Sequence, residues 1–382
     1  HTGHGGKLSI ARVLAGEIGE GANVLSSSGA TSRVAGVFSI KGATVEKRDT
    51  AQAGDLAGFG KLEPVATCET ITTGKLAVSL GSVVPYPPVL SLAISAAERK
   101  DDVKLGLALA KLAEEDPSLS VMHNADLGEI VLWGQGEMHL RVAVERLRGR
   151  FGVKVLTHPP RVGYRETIRK PITQRGRHRK QSGGHGQYGD CWLEVGPLPR
   201  GQGFEFENKI VGGAIPRNFV PAVEKGVVEA LHEGPLAGYP AVDVRVTVYD
   251  GSYHVVDSSE LAFKIAGSMG VKKALEAAHP ILLEPLMTVE VEVPAECVGT
   301  VLGDLNARRG RIVMVEANGH IEIVKALVPQ AEMLSYAASL NSMTGGQGSY
   351  AMEYAQYEEV PRELAGRIIE EHKMERHGAV AH

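Results

Sequence analysis

One order of elements occurs twice in these 382 residues, and it restricts the fold more than any other feature. A strand-like run from Val89 to Ala96 precedes a helical period from about Asp101 through Glu115. Two short strands follow around Asp126-Leu-Gly128, then a helix from Gly136 to Arg150 and a strand from Val153 to Thr157. The same β-α-β-β-α-β order returns in Pro285 to Val293, Pro294 to Arg309, Ile312 to Glu316, His320 to Leu327, Gln330 to Leu340 and Gly348 to Tyr354. This is the order of a ferredoxin-like unit, in which two helices cover one face of a four-stranded sheet. Two such units predict a multi-domain α+β chain. The length requires the same, because single cores stop growing at roughly 250–300 residues.

Before the first unit, Lys7 to about Gly74 holds short β runs with glycine punctuation and no long helical period, which predicts a small β-barrel. Those runs are Leu8 to Leu14, Asn23 to Leu25, Arg33 to Ser39 and Leu56 to Leu62. The prolines of Val84-Pro-Tyr-Pro-Pro88 hold the backbone extended and deny it ladder donors, so a linker is expected there. Between the two units, Val242-Asp-Val-Arg-Val-Thr-Val-Tyr249 alternates apolar and polar residues as a half-buried strand does. Amphipathic helices are expected near Pro221 to His232 and Ser258 to Ala278, and the mixed charges from Pro361 to about Arg376 predict a helix with a solvated face. The expected domains are 1–83, 84–160, 161–283 and 284–382.

A net charge of -4 argues against a polycation that coats nucleic acid indiscriminately, so any nucleic-acid contact must be local. Cys68, Cys191 and Cys297 are odd in number and far apart, which suits neither a disulfide framework nor paired zinc ligands. No apolar run reaches the roughly 20 residues of a membrane-spanning helix, and the N-terminus shows no signal pattern. A cytoplasmic protein without membrane contact is expected. The chain opens on His1 and soon enters strand-like residues, so a piece of a longer protein is expected.

Several motifs fail on context. Gly184-His-Gly186-Gln-Tyr-Gly189 matches G-x-G-x-x-G, but a basic run precedes it and the strand-like Cys191-Trp-Leu-Glu-Val195 follows. A dinucleotide fingerprint needs an apolar strand before it and a helix N-terminus after it. No G-x-x-x-x-G-K-[ST], H-E-x-x-H or G-x-S-x-G occurs, so neither a catalytic residue nor a metal site is expected in this chain. Asp55-Leu-Ala-Gly58 is a short match inside a barrel-like region, and Gly345-Gly-Gln347 reads as a turn before a strand. Arg308 and Arg309 admit two readings, a helix end complemented by cations or a contact with RNA.

Charge is the positive signal. Residues 161–180 hold Arg161, Arg165, Arg169, Lys170, Arg175, Arg177, Arg179 and Lys180 against the one carboxylate Glu166. Such a run neutralises phosphates and releases their counterions, which gives salt-dependent binding. The other reading is an exposed basic hairpin with no partner. A glycine-rich tip follows, Gln181-Ser-Gly-Gly-His-Gly-Gln-Tyr-Gly-Asp190, in which backbone amides can approach a phosphate and His185, Gln187 and Tyr188 can bond or stack on bases. A second loop, Asp250-Gly-Ser-Tyr-His254, carries aromatic, imidazole and hydroxyl groups without a carboxylate or thiol set for a metal. Ser258-Ser-Glu260 after Asp257 suits a helix cap.

These stretches resemble the bacterial elongation factor G family of translational GTPases from its second domain onward. The resemblance rests on Ala113-Glu-Glu-Asp-Pro117, Gly134-Gln-Gly-Glu-Met-His-Leu140, Tyr164-Arg-Glu-Thr-Ile168, Gly183-Gly-His-Gly-Gln-Tyr-Gly189, Tyr249-Asp-Gly-Ser-Tyr-His254, Val256-Asp-Ser-Ser-Glu260, Ala262-Phe-Lys-Ile-Ala-Gly-Ser268 and Gly303-Asp-Leu-Asn-Ala-Arg-Arg-Gly310. It implies a β-barrel domain II, ferredoxin-like domains III and V, and a domain IV resembling ribosomal protein S5. By position, Gln181, Ser182, Gly183, Gly184, His185, Gly186, Gln187 and Tyr188 look like one domain IV tip loop, and Gly251, Ser252, Tyr253 and His254 like the other. Arg175, Arg177, Arg179 and Lys180 form the adjoining basic patch.

The implied partners are the ribosome, its RNA, and transfer and messenger RNA at the decoding site, met by a monomer. GTP and magnesium are implied only for an N-terminal G domain outside this sequence, so no cofactor is expected in the chain itself. The implied activity is translocation. In the family's translocases Arg stands at the place of His185 and His at that of Asp190, so this chain looks more like an elongation-factor-G-like paralogue. A regulatory or free-standing ribosome-binding module is the second expectation.

Overall fold

The structure, a computed structural model, describes residues 6–42, 44–75, 78–81, 85, 87–125, 127–181 and 186–380, with side chains to residue 374. The expected linker at 84–88 and the turn at 126–128 lie partly outside the described residues. So do Ser182, Gly183, Gly184 and His185 of the expected first tip loop. The chain divides into two compact units, His1–Pro160 and Arg161–His382.

The first unit begins with short strands β1 (Leu8–Arg12), β2 (Glu17–Gly19), β3 (Asn23–Ser26), β4 (Thr31–Arg33), β5 (Val37–Lys41), β6 (Thr44–Arg48), β7 (Thr50–Gln52), β8 (Leu56–Gly60) and β9 (Ile71–Thr72). They pair as three small sheets, β1-β8-β5-β6, β2-β7 and β4-β3-β9, around a core that includes Val24, Val37, Ala51, Phe59 and Leu62. β10 (Leu90–Ala96), α1 (Asp102–Glu115), β11 (Ser120–Asn124), β12 (Glu129–Gly134), α2 (Glu137–Gly149) and β13 (Val155–His158) follow in the expected order. Their antiparallel sheet runs β11-β12-β10-β13. Leu105, Ala108, Leu109 and Leu112 recur at helical spacing on α1, and with Leu140, Ala143 and Leu147 of α2 they cover Ile94 and Leu132. Full burial of each leucine contributes about 1.5–3 kcal/mol.

The second unit opens with β14 (Arg165–Ile168), then β15 (Ile172–Lys180), β16 (Gln187–Pro197), β17 (Phe204–Asn208), α3 (Val220–Leu231), β18 (Val244–Ser252) and α4 (Glu260–Ala277). β19 (Pro280–Pro294), α5 (Val298–Ala307), β20 (Arg311–Asn318), β21 (Ile321–Pro329), α6 (Gln330–Met333), α7 (Tyr336–Thr344), β22 (Ser349–Glu359) and α8 (Arg362–Val380) complete it. One sheet has the order β15-β16-β18-β17, with β17 parallel to β18. The alternating strand read from sequence is β18: Val244, Val246 and Val248 are buried against the α3 and α4 layer, while Arg245 is exposed.

The C-terminal sheet repeats the ferredoxin-like order, β20-β21-β19-β22, and adds β14 beside the first residues of β19. The boundary expected at 283/284 therefore falls inside one strand, and residues 165–168 of the expected middle domain belong to the C-terminal sheet. Glu166 of β14 also ties down residues 236–239. Its fully buried carboxylate accepts backbone N–H groups of Leu236, Ala237, Gly238 and Tyr239 at 2.7–3.1 Å.

Two helices differ from their expected form. The run expected from Gln330 to Leu340 is broken at Ser335 into α6 and α7. α8 does not merely present a solvated face: Leu364, Ala365, Ile368 and Ile369 form a stripe against Tyr164, Ala237, Tyr239, Leu282 and Val360. His372 Nδ1 donates to the Ala237 carbonyl at 3.0 Å.

Candidate nucleic-acid interface

The hairpin β15–β16 is in register from Ile172↔Val195 to Lys180↔Gln187. One face of it lies directly on α4. A Cβ on Gly176 would stand 2.0 Å from the Ala266 carbonyl oxygen, and one on Gly189 would stand 2.4 Å from that of Ala262. Only glycine permits that approach. Because side chains alternate across a strand, Arg175, Arg177 and Arg179 of β15 and Tyr188, Asp190 and Trp192 of β16 occupy the opposite face. There the Arg175 guanidinium lies over the Trp192 ring at 5.6 Å and that of Arg177 over Tyr188 at 5.7 Å.

β16 pairs on its other side with β18, with a bulge at Trp192/Leu193, and the pairing Asp190↔Ser252 brings the two expected loops side by side. They are joined by hydrogen bonds. Gly186 N donates to Asp257 Oδ1 at 2.9 Å and Tyr188 N to the Asp257 carbonyl at 2.8 Å. Ser258 Oγ donates to the Tyr188 carbonyl at 2.9 Å and accepts from His254 N at 2.8 Å. His254 Nδ1 lies 3.3 and 3.1 Å from the backbone N of Val256 and Asp257 and 3.2 Å from Asp257 Oδ2, which fixes the ring against the turn. Its side chain is 56% exposed, beside the exposed Tyr253, Val255 and Val256.

Asp190 is the buried polar centre of this face, with 2% of its surface exposed. Arg175 binds it in a fork, Nε to Oδ1 and Nη2 to Oδ2, both at 2.7 Å. Ser252 Oγ donates to Oδ2 at 2.8 Å and lies 2.7 Å from the Tyr188 hydroxyl. Burial alone would push the Asp190 carboxyl up, but the bonds from Arg175 and Ser252 and the charges of Arg175 and Arg177 outweigh it and hold it below the usual carboxylate range.

The basic run read as one cluster is divided between two sheets. Arg165 lies on β14, and Arg169 forms an ion pair with Glu359. Of the four residues in the expected patch, Arg175 is tied to Asp190, while Arg177, Arg179 and Lys180 have exposed side chains without an ion-pair partner among the described residues. Gly186, Gln187, Tyr188, Gly251, Ser252, Tyr253 and His254 are brought together at the strand ends. Gln181 directly follows β15, and Gln187 Oε1 accepts from His178 Nε2 at 2.9 Å.

Three members of the constellation carry no contact assignment in the sequence pattern: Asp190, Asp257 and Ser258. Ser259, not Ser258, caps α4, accepting from Ala262 N at 3.2 Å. The Asp257-Ser-Ser-Glu260 run carries a cap signal, but the loop it reaches is 70 residues away.

Arg308 and Arg309 resolve to the structural reading. Arg308 binds Asp304, the Glu332 carbonyl and Ser339, and Arg309 forks onto the buried Glu284 at 2.6 and 2.9 Å and reaches Glu332.

Residues 84–159 match the family model described as Elongation Factor G, domain III, residues 160–279 match Elongation factor G, domain IV, and residues 281–368 match Elongation factor G C-terminus. The chain belongs to the elongation factor G family. It is also similar to a crystallised protein from Thermus thermophilus, with 41% sequence identity and a TM-score of 0.84 over 97% of this chain. The chain spans 56% of that protein's length.

Both joined loops and the cation-lined face lie within the elongation factor G domain IV match. Among the described residues, no group of three or more His, Cys, Asp or Glu is placed to hold a metal ion. Burial pushes the Cys191 thiol up to about 12, which leaves it without nucleophilic character at neutral pH. No helix among the described residues is long and apolar enough to cross a membrane.

Proposed function

We propose that this chain is the ribosome-binding portion of an elongation-factor-G-like translational GTPase that acts in the cytoplasm as a monomer. The tip built from Gln181 to Tyr188 and Gly251 to His254 enters the decoding centre and holds transfer and messenger RNA during translocation. GTP and magnesium act in a G domain of the intact protein. The observation that carries this reading is the joining of two distant loops into one tip, at the end of a strand that presents Arg177, Arg179 and Lys180.

The residue types fit RNA. Cations meet phosphates, Tyr253 and Tyr188 supply faces for base or ribose contact, and His254 adds a polar, exposed ring. A contact made in one ribosomal state more strongly than in another shifts the equilibrium between them, and that differential affinity is the physical content of translocation by such a tip.

Sedimentation of the chain with purified bacterial ribosomes tests the reading. Binding at low salt that falls with rising salt, and that Arg179→Gln, Lys180→Gln and His254→Ala each weaken without unfolding the chain, is the expected result. Binding indifferent to all three substitutions contradicts it. The Arg175–Asp190 pair favours a second reading within the same family, a regulatory ribosome-binding paralogue whose tip approaches RNA with reduced charge. A translocation assay with the full-length protein separates the two: movement of transfer RNA supports the first, and binding without movement supports the second.

A further inference from the structure

The acid on the cationic face is the feature that the reading above does not absorb. Asp190 stands opposite Arg177 in the hairpin register and diagonal to Arg175, on the face that carries the basic residues. A carboxylate there would normally repel RNA, yet this one is 2% exposed and saturated by Arg175 and Ser252. The bonds have a consistent direction: the Tyr188 hydroxyl donates to Ser252 Oγ, Ser252 donates to Asp190, and Arg175 donates to both carboxylate oxygens. Three strands, β15, β16 and β18, are tied at one carboxylate, and Ser252 and Tyr188 each belong to one of the two joined loops.

A bidentate guanidinium–carboxylate pair holds its cation in one place and cancels its charge at a distance. Arg175 is therefore spent inside the protein. To reach a phosphate it would have to leave a buried, hydrogen-bonded acid without a cation, which costs more than a single exposed phosphate contact returns. Arg177, Arg179 and Lys180 carry no such penalty.

We infer that Asp190 is a positioning residue that withdraws Arg175 from RNA contact and sets the alignment of the two tip loops through Ser252 and Tyr188, so that Arg177, Arg179 and Lys180 are the cations that meet phosphate. This inference rests on the RNA-contacting reading of the tip. It divides the basic patch into a structural member and three binding members, a division that the charge of the residues does not reveal.

The slope of log affinity against log salt counts released counterions, so it reads the number of cations engaged and not the stability of the fold. Ribosome binding of the chain would be measured across a salt series for wild type, Arg175→Gln, Arg179→Gln, Asp190→Asn and the double variant Asp190→Asn/Arg175→Gln. Each lost phosphate contact lowers the slope by about 0.7–0.9. Arg179→Gln is expected to lose that increment, and Arg175→Gln to keep the wild-type slope. Asp190→Asn, which is isosteric, is expected to steepen the slope by about the same increment, as Arg175 is released to phosphate, and the double variant to return it to the wild-type value.

A slope that falls in Arg175→Gln as it does in Arg179→Gln overturns the inference while leaving the RNA-contacting reading standing. An unchanged slope in Asp190→Asn also overturns it. Absence of salt-sensitive binding by the wild-type chain removes the RNA-contacting reading and this inference with it. Should Arg175→Gln fail to fold, Asp190→Asn and the double variant still decide the matter, since neither leaves a buried charge unpaired.

Discussion

Two arginine-rich places in this chain carry similar charge in the sequence and opposite roles in the fold. At the end of α5, Arg308 and Arg309 are consumed from within: Asp304, Glu284, Glu332 and Ser339 take their donors, and the Arg308 guanidinium lies 5.2 Å from the centre of the Tyr336 ring. On β15, Arg177 and Arg179 extend from the open face of a sheet whose other face is sealed by α4, and Lys180 is exposed at the strand's end. Arg175 stands between the two cases, being on the open face yet bound to a buried acid. A basic cluster is thus a candidate for polyanion binding only after its internal carboxylates have been subtracted.

The sharpest way to break the comparison is at Arg309. Its partner Glu284 has a side chain only 4% exposed, so Arg309→Met strands a buried carboxylate and is expected to destabilise the second unit by about 3–5 kcal/mol in urea unfolding. Ribosome binding by the folded fraction should be unchanged. A loss of binding without a loss of stability would move Arg309 into the RNA-contacting class.

Ser258 comes next, because its hydroxyl serves both loops. Ser258→Ala removes its bonds to His254 N and the Tyr188 carbonyl and is expected to cost about 1–2 kcal/mol, with faster hydrogen exchange at the His254 amide. Unaltered exchange there would mean that the loops hold each other by other means.

Acid sharpens the place of Asp190, which faces Arg175, Arg177, Ser252 and Tyr188. Its carboxyl titrates below its unfolded value, so its stabilising contribution is complete above that value, about 3.9, and is lost as pH falls through the lower folded one. The stability gap between wild type and Asp190→Asn should therefore be constant near neutrality and narrow only below about pH 4 in urea unfolding. A gap that narrows at higher pH would show that another group controls it. Smallest in stability is Arg179→Gln, expected within about 0.5 kcal/mol of wild type while ribosome affinity falls.

Much of this architecture is legible in the sequence because it is local. The two β-α-β-β-α-β orders, the period of α1 and the alternation of β18 each arise within a short window of residues. The basic hairpin is legible too, since its cations and glycines announce themselves. Hidden were the contacts that close over long separations: Glu166 reaching residues 236–239, β14 joining a sheet that begins at 280, and Ser258 bridging to Tyr188. Asp190 was visible as a charge, but its neutralisation depends on strand register, which no local pattern specifies.

The central claim is that the ends of β15, β16 and β18 meet RNA and the end of α5 does not. Hydrogen exchange of the chain with and without bacterial ribosomes tests it most directly. Protection on binding at 177–181, 186–188 and 252–258, with no change at 304–312, is the predicted result. Protection at 304–312 with none at the tip would contradict it.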